Sequence, residues 1–369
     1  MKLTLRRSFA ALAITLLAVA PASAWAETNC AAPQAGTEPA RTVSERRDLT
    51  GATAPSRVKQ EVSESGGRKL VKQIVEAPSL EGRYEAVLEC EEETVQVDAS
   101  SVRVTRRAFG RDTDGRRRLL EVAVEDQRTL ANGGQNVTRT ISRTDLNGGL
   151  RESRREVQEV RQVGPELKET TTTVLLPDIN GGITPATRVQ QTEAQKPGGV
   201  TELRSTRQLP DVNGRWATSE IKEVTTVDDG KGQRTEEERV YEPDANRNLS
   251  LVQRTVAKQS KTPDGQDQRV VETYSTNVMG VTIGGQLQLE RRLHTVGRVA
   301  PDGTQTVEQR VEERGVTPAD GLRVTQVTVD ISRPTDRGGT TIERKVQVSD
   351  PNGRLTTMSV DFERQERKK

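Results

Sequence analysis

Four Asp-x-Asn/Asp-Gly turns recur in this chain at an interval of 33 residues. They are Asp112-Thr113-Asp114-Gly115, Asp145-Leu146-Asn147-Gly148, Asp178-Ile179-Asn180-Gly181 and Asp211-Val212-Asn213-Gly214. One interval later, Asp244-Ala245-Asn246-Arg247 keeps three of the four residues and lacks the glycine; one interval earlier, Ser79-Leu80-Glu81-Gly82 is a looser copy. A fixed period marks a repeat architecture, in which each unit is one supersecondary piece that buries apolar surface only against its neighbours.

A second turn falls halfway along each unit, at Asn132-Gly133, Gly164-Pro165, Gly198-Gly199, Gly230 and Asp264-Gly265. Each unit therefore reads as turn, strand, turn, strand, and such short connections make neighbouring strands antiparallel. The aspartate side chain accepts from backbone two residues on, and glycine takes the left-handed conformation that closes a hairpin with a bulge. Pro177, Pro210 and Pro243 stand just before their turns, at strand ends where the ladder needs no donor. The fold expected is all-β: a repetitive antiparallel β-hairpin array of 33-residue, two-strand units over residues 69–276, forming an elongated sheet or solenoid. The alternative is a closed or partly closed barrel-like sheet. Residues 277–363 read as a degenerate continuation of the repeat and 364–369 as a polar tail.

The ends point to export. Lys2, Arg6 and Arg7 precede a short apolar stretch from Ser8 to Ala20, followed by small-x-small cleavage sites at Ala22-Ser23-Ala24 and Ala24-Trp25-Ala26. Residues 1–26 thus read as a signal peptide, and the expected location is periplasmic, cell-surface or secreted. Residues 27–68, rich in Ala, Pro, Thr, Ser, Glu and Gly, read as a flexible leader. The apolar run is shorter than the roughly 20 residues a membrane helix needs, and no later segment approaches that length. A membrane barrel would need outward apolar bands and aromatic girdles. No membrane span is expected. The full chain has 56 Lys+Arg and 54 Asp+Glu; without the signal the net charge is −1. That balance gives no reason to expect nucleic acid as a partner. Hydrophobic residues are only 31% and aromatics 2% of the chain, too few for a large globular core. Cys30 and Cys90 are the only cysteines, a pair expected to form a disulfide in an exported protein.

The repeat also places the aromatic residues. With the aspartate as position 1, position 6 holds Tyr84 and Trp216, and position 31 holds Phe109, Tyr241 and Tyr274. Both columns flank the Asp turn, one on each arm of the hairpin. They predict an apolar row along one rim, and Tyr84, Trp216, Tyr241 and Tyr274 are the candidate binding residues there.

Asp350-Pro351-Asn352-Gly353-Arg354-Leu355-Thr356 resembles the centre of the YD, or Rhs-type, repeat, and Asp211-Val212-Asn213-Gly214-Arg215-Trp216 is similar to it. The resemblance covers about seven residues per turn. The tyrosine expected directly before the aspartate is replaced by Ser349 and Pro210. It implies an extended β structure of the kind found in secreted and surface proteins, and implies nothing about activity.

Catalytic chemistry has little to work with. His294 is the only histidine, so neither a nucleophile–histidine arrangement nor a multi-histidine zinc site is available. The Asp turns resemble the start of a calcium loop, but their fifth position is Arg116, Gly149, Gly182 or Arg215 where a further oxygen ligand is needed. Glu91-Glu92-Glu93 and Glu236-Glu237-Glu238 read as solvated strand faces. No catalytic, cofactor or metal residue is assigned. The expected function is that of an exported, non-enzymatic β-repeat protein with a structural or surface-interaction role, with protein or glycan at the cell surface as the partner. The alternative is carbohydrate binding or cleavage at the rim aromatics.

Overall fold

The computed structural model describes residues 40–367 except 49–55, 80–82, 113, 245, 263–264, 279–280, 283–285, 316–320, 336–338 and 351. The signal peptide and Cys30 lie outside the described residues. Every regular element among the described residues is a strand. The first seven are β1 (Ala40–Asp48), β2 (Ser56–Ser65), β3 (Arg68–Pro78), β4 (Tyr84–Asp98), β5 (Ser101–Arg111), β6 (Arg117–Thr129) and β7 (Gln135–Thr144). Next come β8 (Leu150–Gly164), β9 (Leu167–Pro177), β10 (Ile183–Lys196), β11 (Val200–Pro210), β12 (Trp216–Asp228), β13 (Arg234–Pro243), β14 (Leu249–Lys261) and β15 (Asp267–Ser275). The rest are β16 (Asn277–Val278), β17 (Val281–Thr282), β18 (Gln288–Val299), β19 (Gln305–Arg314), β20 (Leu322–Pro334), β21 (Thr340–Ser349) and β22 (Leu355–Arg367).

β16 and β17 form a two-stranded ribbon of their own; the other 20 strands form a single antiparallel sheet. Each strand pairs with the next along the chain, and β15 pairs with β18 across the ribbon. β22 pairs with β1 from Ala40↔Arg367 to Asp48↔Ser359, and β1 pairs with β2 from Arg41↔Lys59 to Ser44↔Ser56. Every strand thus has two neighbours and the ladder returns to its start. Of the two sheet forms open to the sequence, the pairings are those of the closed, barrel-like one. β1 and β2 fall within residues 27–68, so the reading of that whole stretch as a flexible leader is corrected. Its composition hides two strands whose partners, β22 and β3, complete the ring.

The odd period has a structural counterpart. Where β5 pairs with β6, Ala108 faces Glu121 and Phe109 faces Leu119, leaving Leu120 unopposed. The same one-residue bulge leaves out Val87, Ser153, Ala186, Ser219 and Val252, the equivalent position of successive 33-residue units. In the irregular units it falls at Glu290, Thr325 and Met358. Side chains alternate between faces with a period of two, so an odd repeat of two regular strands would turn each equivalent residue to the opposite face in the next unit. One extra residue per unit restores the phase. A bulge also bends its strand and increases the local twist, and repeated at one height it curves the sheet toward closure.

The Asp turns are built as their residues dictate. Asp145 Oδ1 accepts from the backbone amides of Asn147 and Gly149, both at 2.9 Å. Asp178, Asp211, Asp244 and Asp350 repeat the pattern at 2.8–2.9 Å. The fourth turn residue is left-handed at Gly115, Gly148, Gly181, Gly214 and Gly353. Where the glycine is missing, Arg247 takes the same conformation at φ 65°.

Candidate functional site

Register pairs carry the two faces of the sheet round the ring without a break of phase, so the paired side chains among the described residues can be assigned to a wall. Of the thirteen buried side chains among the described residues, twelve share one face, from Val71, Gln73 and Cys90 through Ala123 and Ile141 to Thr328 and Ser359; Ile221 is the exception. Side chains converge on the concave side of a curved sheet, and crowding removes them from solvent. That face is the inner wall.

The inner wall is polar. Gln73, Gln127, Gln135, Gln158, Gln191 and Thr170 stand on it among short apolar residues. A groove of about 330 Å³ runs along it beside Glu125, Gln135, Arg139, Glu156 and Gln158. A second, of about 240 Å³, shares Gln135 and Gln158 and continues past Lys168, Thr170 and Glu193. In register, Arg139 stands between Glu125 and Glu156, and Lys168 faces Glu193. Further round the same wall, Lys222 and Glu238 pair at 2.6 Å and Arg106 and Glu92 at 2.6 Å. Among the described residues, the substantial contacts run only between strands adjacent or next but one in the ladder. The inner wall therefore lines an enclosed space.

The outer wall is charged at mid-height. Cross-strand ion pairs lace it: Arg107 with Glu93 at 3.2 Å, Arg254 with Glu237 at 2.8 Å and Arg292 with Glu272 at 2.8 Å. At the rim that carries the Asp turns its character changes. All six aromatic residues of the described chain face outward, and Tyr84, Phe109, Trp216, Tyr241 and Tyr274 lie in the first two rows below those turns. Guanidinium groups lie over three of the rings: Arg117 at 3.5 Å from Phe109, Arg188 at 4.2 Å from Trp216 and Arg254 at 6.0 Å from Tyr274. The expected aromatic rim is present, with positions 6 and 31 as diagonal neighbours, as in Tyr241↔Leu251 beside Pro243↔Leu249.

Cys90 faces inward, 8% exposed. His294 faces outward, its Nε2 2.8 Å from the Gln268 amide nitrogen. Neither lies near the grooves in the ladder. Sequence reading missed the inner grooves, because no run of residues shows which face is enclosed.

No protein-family model and no curated protein matches the chain. Among solved structures, Pseudomonas aeruginosa OccK3 (OpdO) is similar at 9% identity and a TM-score of 0.46, covering 89% of this chain and 94% of that one. Salmonella typhi OmpF, in complex with daunomycin, is similar at 7% and 0.37, covering 89% and 96%. A loop-deletion mutant of OmpT, an outer membrane protein of Vibrio cholerae, is similar at 8% and 0.30, covering 88% and 96%. With so few shared positions, the likeness bears on neither function nor site.

Two expectations are corrected. A structural or surface-interaction role, like the carbohydrate alternative at the rim aromatics, puts the working surface on the outside. The ladder instead closes, and the grooves lie on the enclosed wall. The expectation of no membrane span rested on the length of a membrane helix and on missing outward apolar bands and aromatic girdles. Closed barrels are the strand architecture that crosses bilayers, and one outward aromatic row is present.

Proposed function

We propose that this chain is an exported β-barrel of channel type, non-enzymatic, whose bore admits hydrophilic solutes, with the outer membrane as its site. The observation that carries the reading is the closed 20-stranded ladder with a polar enclosed wall. Barrels of about sixteen to eighteen strands already leave an aqueous channel, and the Gln, Thr and Val side chains of this wall, with the Arg, Lys and Glu among them, do not reach across a wider one. The paired charges of the inner wall, Arg106–Glu92 and Lys222–Glu238, offer both signs to a passing solute, so the selectivity expected is by size rather than charge.

Reconstitution tests this directly. Vesicles carrying the protein are expected to release small neutral and charged solutes alike while retaining a large dextran. Protein that is vesicle-associated and releases none of them overturns the proposal.

A further inference from the structure

Cys90 stands near the middle of β4, between Gln73 of β3 and Ala108 of β5 in one ladder row. All three are buried on the inner wall, so the thiol is reached only from the enclosed space. The one other cysteine of the chain, Cys30, precedes the first residue of β1 by ten positions. β1 starts at the rim opposite the Asp turns, where Ala40 meets the end of β22. From that rim the ladder leads to Cys90. Arg41 pairs with Lys59, Lys59 with Ile74, and Ile74 with Glu89, the residue next to Cys90. Three strand spacings amount to about 14 Å along the wall. The chain from Cys30 to Arg41 spans up to about 36 Å when extended, so the two cysteines can reach the Cα spacing of under about 7 Å that a disulfide needs.

We infer that Cys30 and Cys90 join inside the barrel, and that the bond holds residues 27–39 in the bore as a tether that narrows it. A bond to an inward thiol is made from within, so the segment must enter at the rim where β1 begins. Its residues suit that place: Ala31, Ala32, Ala35 and Gly36 are small, Gln34 and Thr37 are polar, and no aromatic stands among them. A wall of 20 strands surrounds more space than one extended chain fills, so the tether narrows the bore without sealing it. Its effect on passage rests on the channel function proposed above; its position does not. In an oxidising compartment a donor disulfide supplies the chemistry. The Cys30 thiolate attacks the donor and one donor thiol leaves. The Cys90 thiolate then attacks the Cys30 sulfur, the mixed disulfide breaks and the second donor thiol leaves. Two electrons and two protons pass from the protein thiols to the donor, which becomes a dithiol. Reduction reverses the exchange and frees the segment.

The test compares the exported protein, reconstituted in vesicles, before and after dithiothreitol. Mass spectrometry of an unreduced digest is expected to find the Cys30 and Cys90 peptides linked. Residues 27–39 contain no Lys or Arg, so Gln34→Lys places a single tryptic site among them. Cleavage at position 34 is expected only after reduction, because trypsin is too large to follow the segment into the bore. Graded dextrans read passage: the largest that cross reduced protein, or the Cys30→Ser variant, are expected to be retained by oxidised wild type. Cys90 found as a free thiol or linked to a second copy overturns the inference. So does equal cleavage at position 34 in both states, or a size limit that neither reduction nor Cys30→Ser moves. If no solute crosses in any state while position 34 stays protected until reduction, the channel function falls and the tether stands.

Discussion

Ser153 Oγ donates to the carbonyl oxygen of Ile141 at 3.1 Å, tying the residue left out of the ladder to the strand it fails to pair with. Two units later Ser219 does the same to Arg207 at 3.2 Å. Ser153→Ala is expected to cost about 0.5–1.5 kcal/mol, the usual net worth of such a bond. Deleting Ser153 is a different change. It removes the phase correction and turns the walls of one side of the sheet over, so cooperative thermal unfolding should be lost. Circular dichroism melts of the two variants check both outcomes.

Arg247 and Gly148 occupy the same place in their turns, at φ 65° and 82°. A left-handed L-residue costs roughly 1–2 kcal/mol, so Arg247→Gly is expected to stabilise by about 1 kcal/mol. Gly148→Ala is expected to destabilise by a similar amount, although a Cβ at Gly148 would meet nothing within 4 Å. The opposite signs, read from denaturation midpoints, separate backbone strain from crowding.

The Asp145 carboxyl is held below the usual carboxylate range, first by the Gly149 amide and then, against some burial, by the Asn147 amide and Arg151. A depressed folded value means that ionisation favours the folded turn. The contribution is complete above the ordinary aspartate range and is lost as pH falls through the lower folded value. Asp145→Asn should therefore be less stable than wild type near neutrality, and the two should converge as pH falls below the ordinary aspartate range. Melting temperatures across that range provide the measurement; a constant offset would contradict it.

Ile141 is 3% exposed on the inner wall, whereas Ile179 is fully exposed at a tip. Ile141→Ala is expected to cost about 2 kcal/mol, the low end for a buried site, because a single-layer wall leaves room to relax. Ile179→Ser should leave stability unchanged. Comparing the two by chemical denaturation verifies which wall is enclosed.

Much of the local plan was legible in the residues. Asp145, Asn147 and Gly148 announce a hairpin and make it through the bonds their chemistry implies. The strand–turn rhythm follows, as does the gathering of Tyr84, Trp216, Tyr241 and Tyr274 at one rim. Residues 40–65 were not legible, because β1 and β2 carry no turn of the repeating kind and look like a polar leader. The bulges left a signal that went unread: a two-strand unit with an odd number of residues cannot keep its faces in phase without one extra residue.

What the sequence determined by itself was therefore local: turn type, strand length, alternation and the spacing of the aromatic columns. Closure was decided only in three dimensions. The pairing Asp48↔Ser359 joins strands at opposite ends of the chain, and it depends on twist and bend accumulated over twenty strands rather than on any one of them. Alternation divides side chains into two sets without saying which is inside. Only the sense of curvature placed Ile141, Gln73, Gln135 and Gln158 on the enclosed wall and sent the described aromatic rings outward.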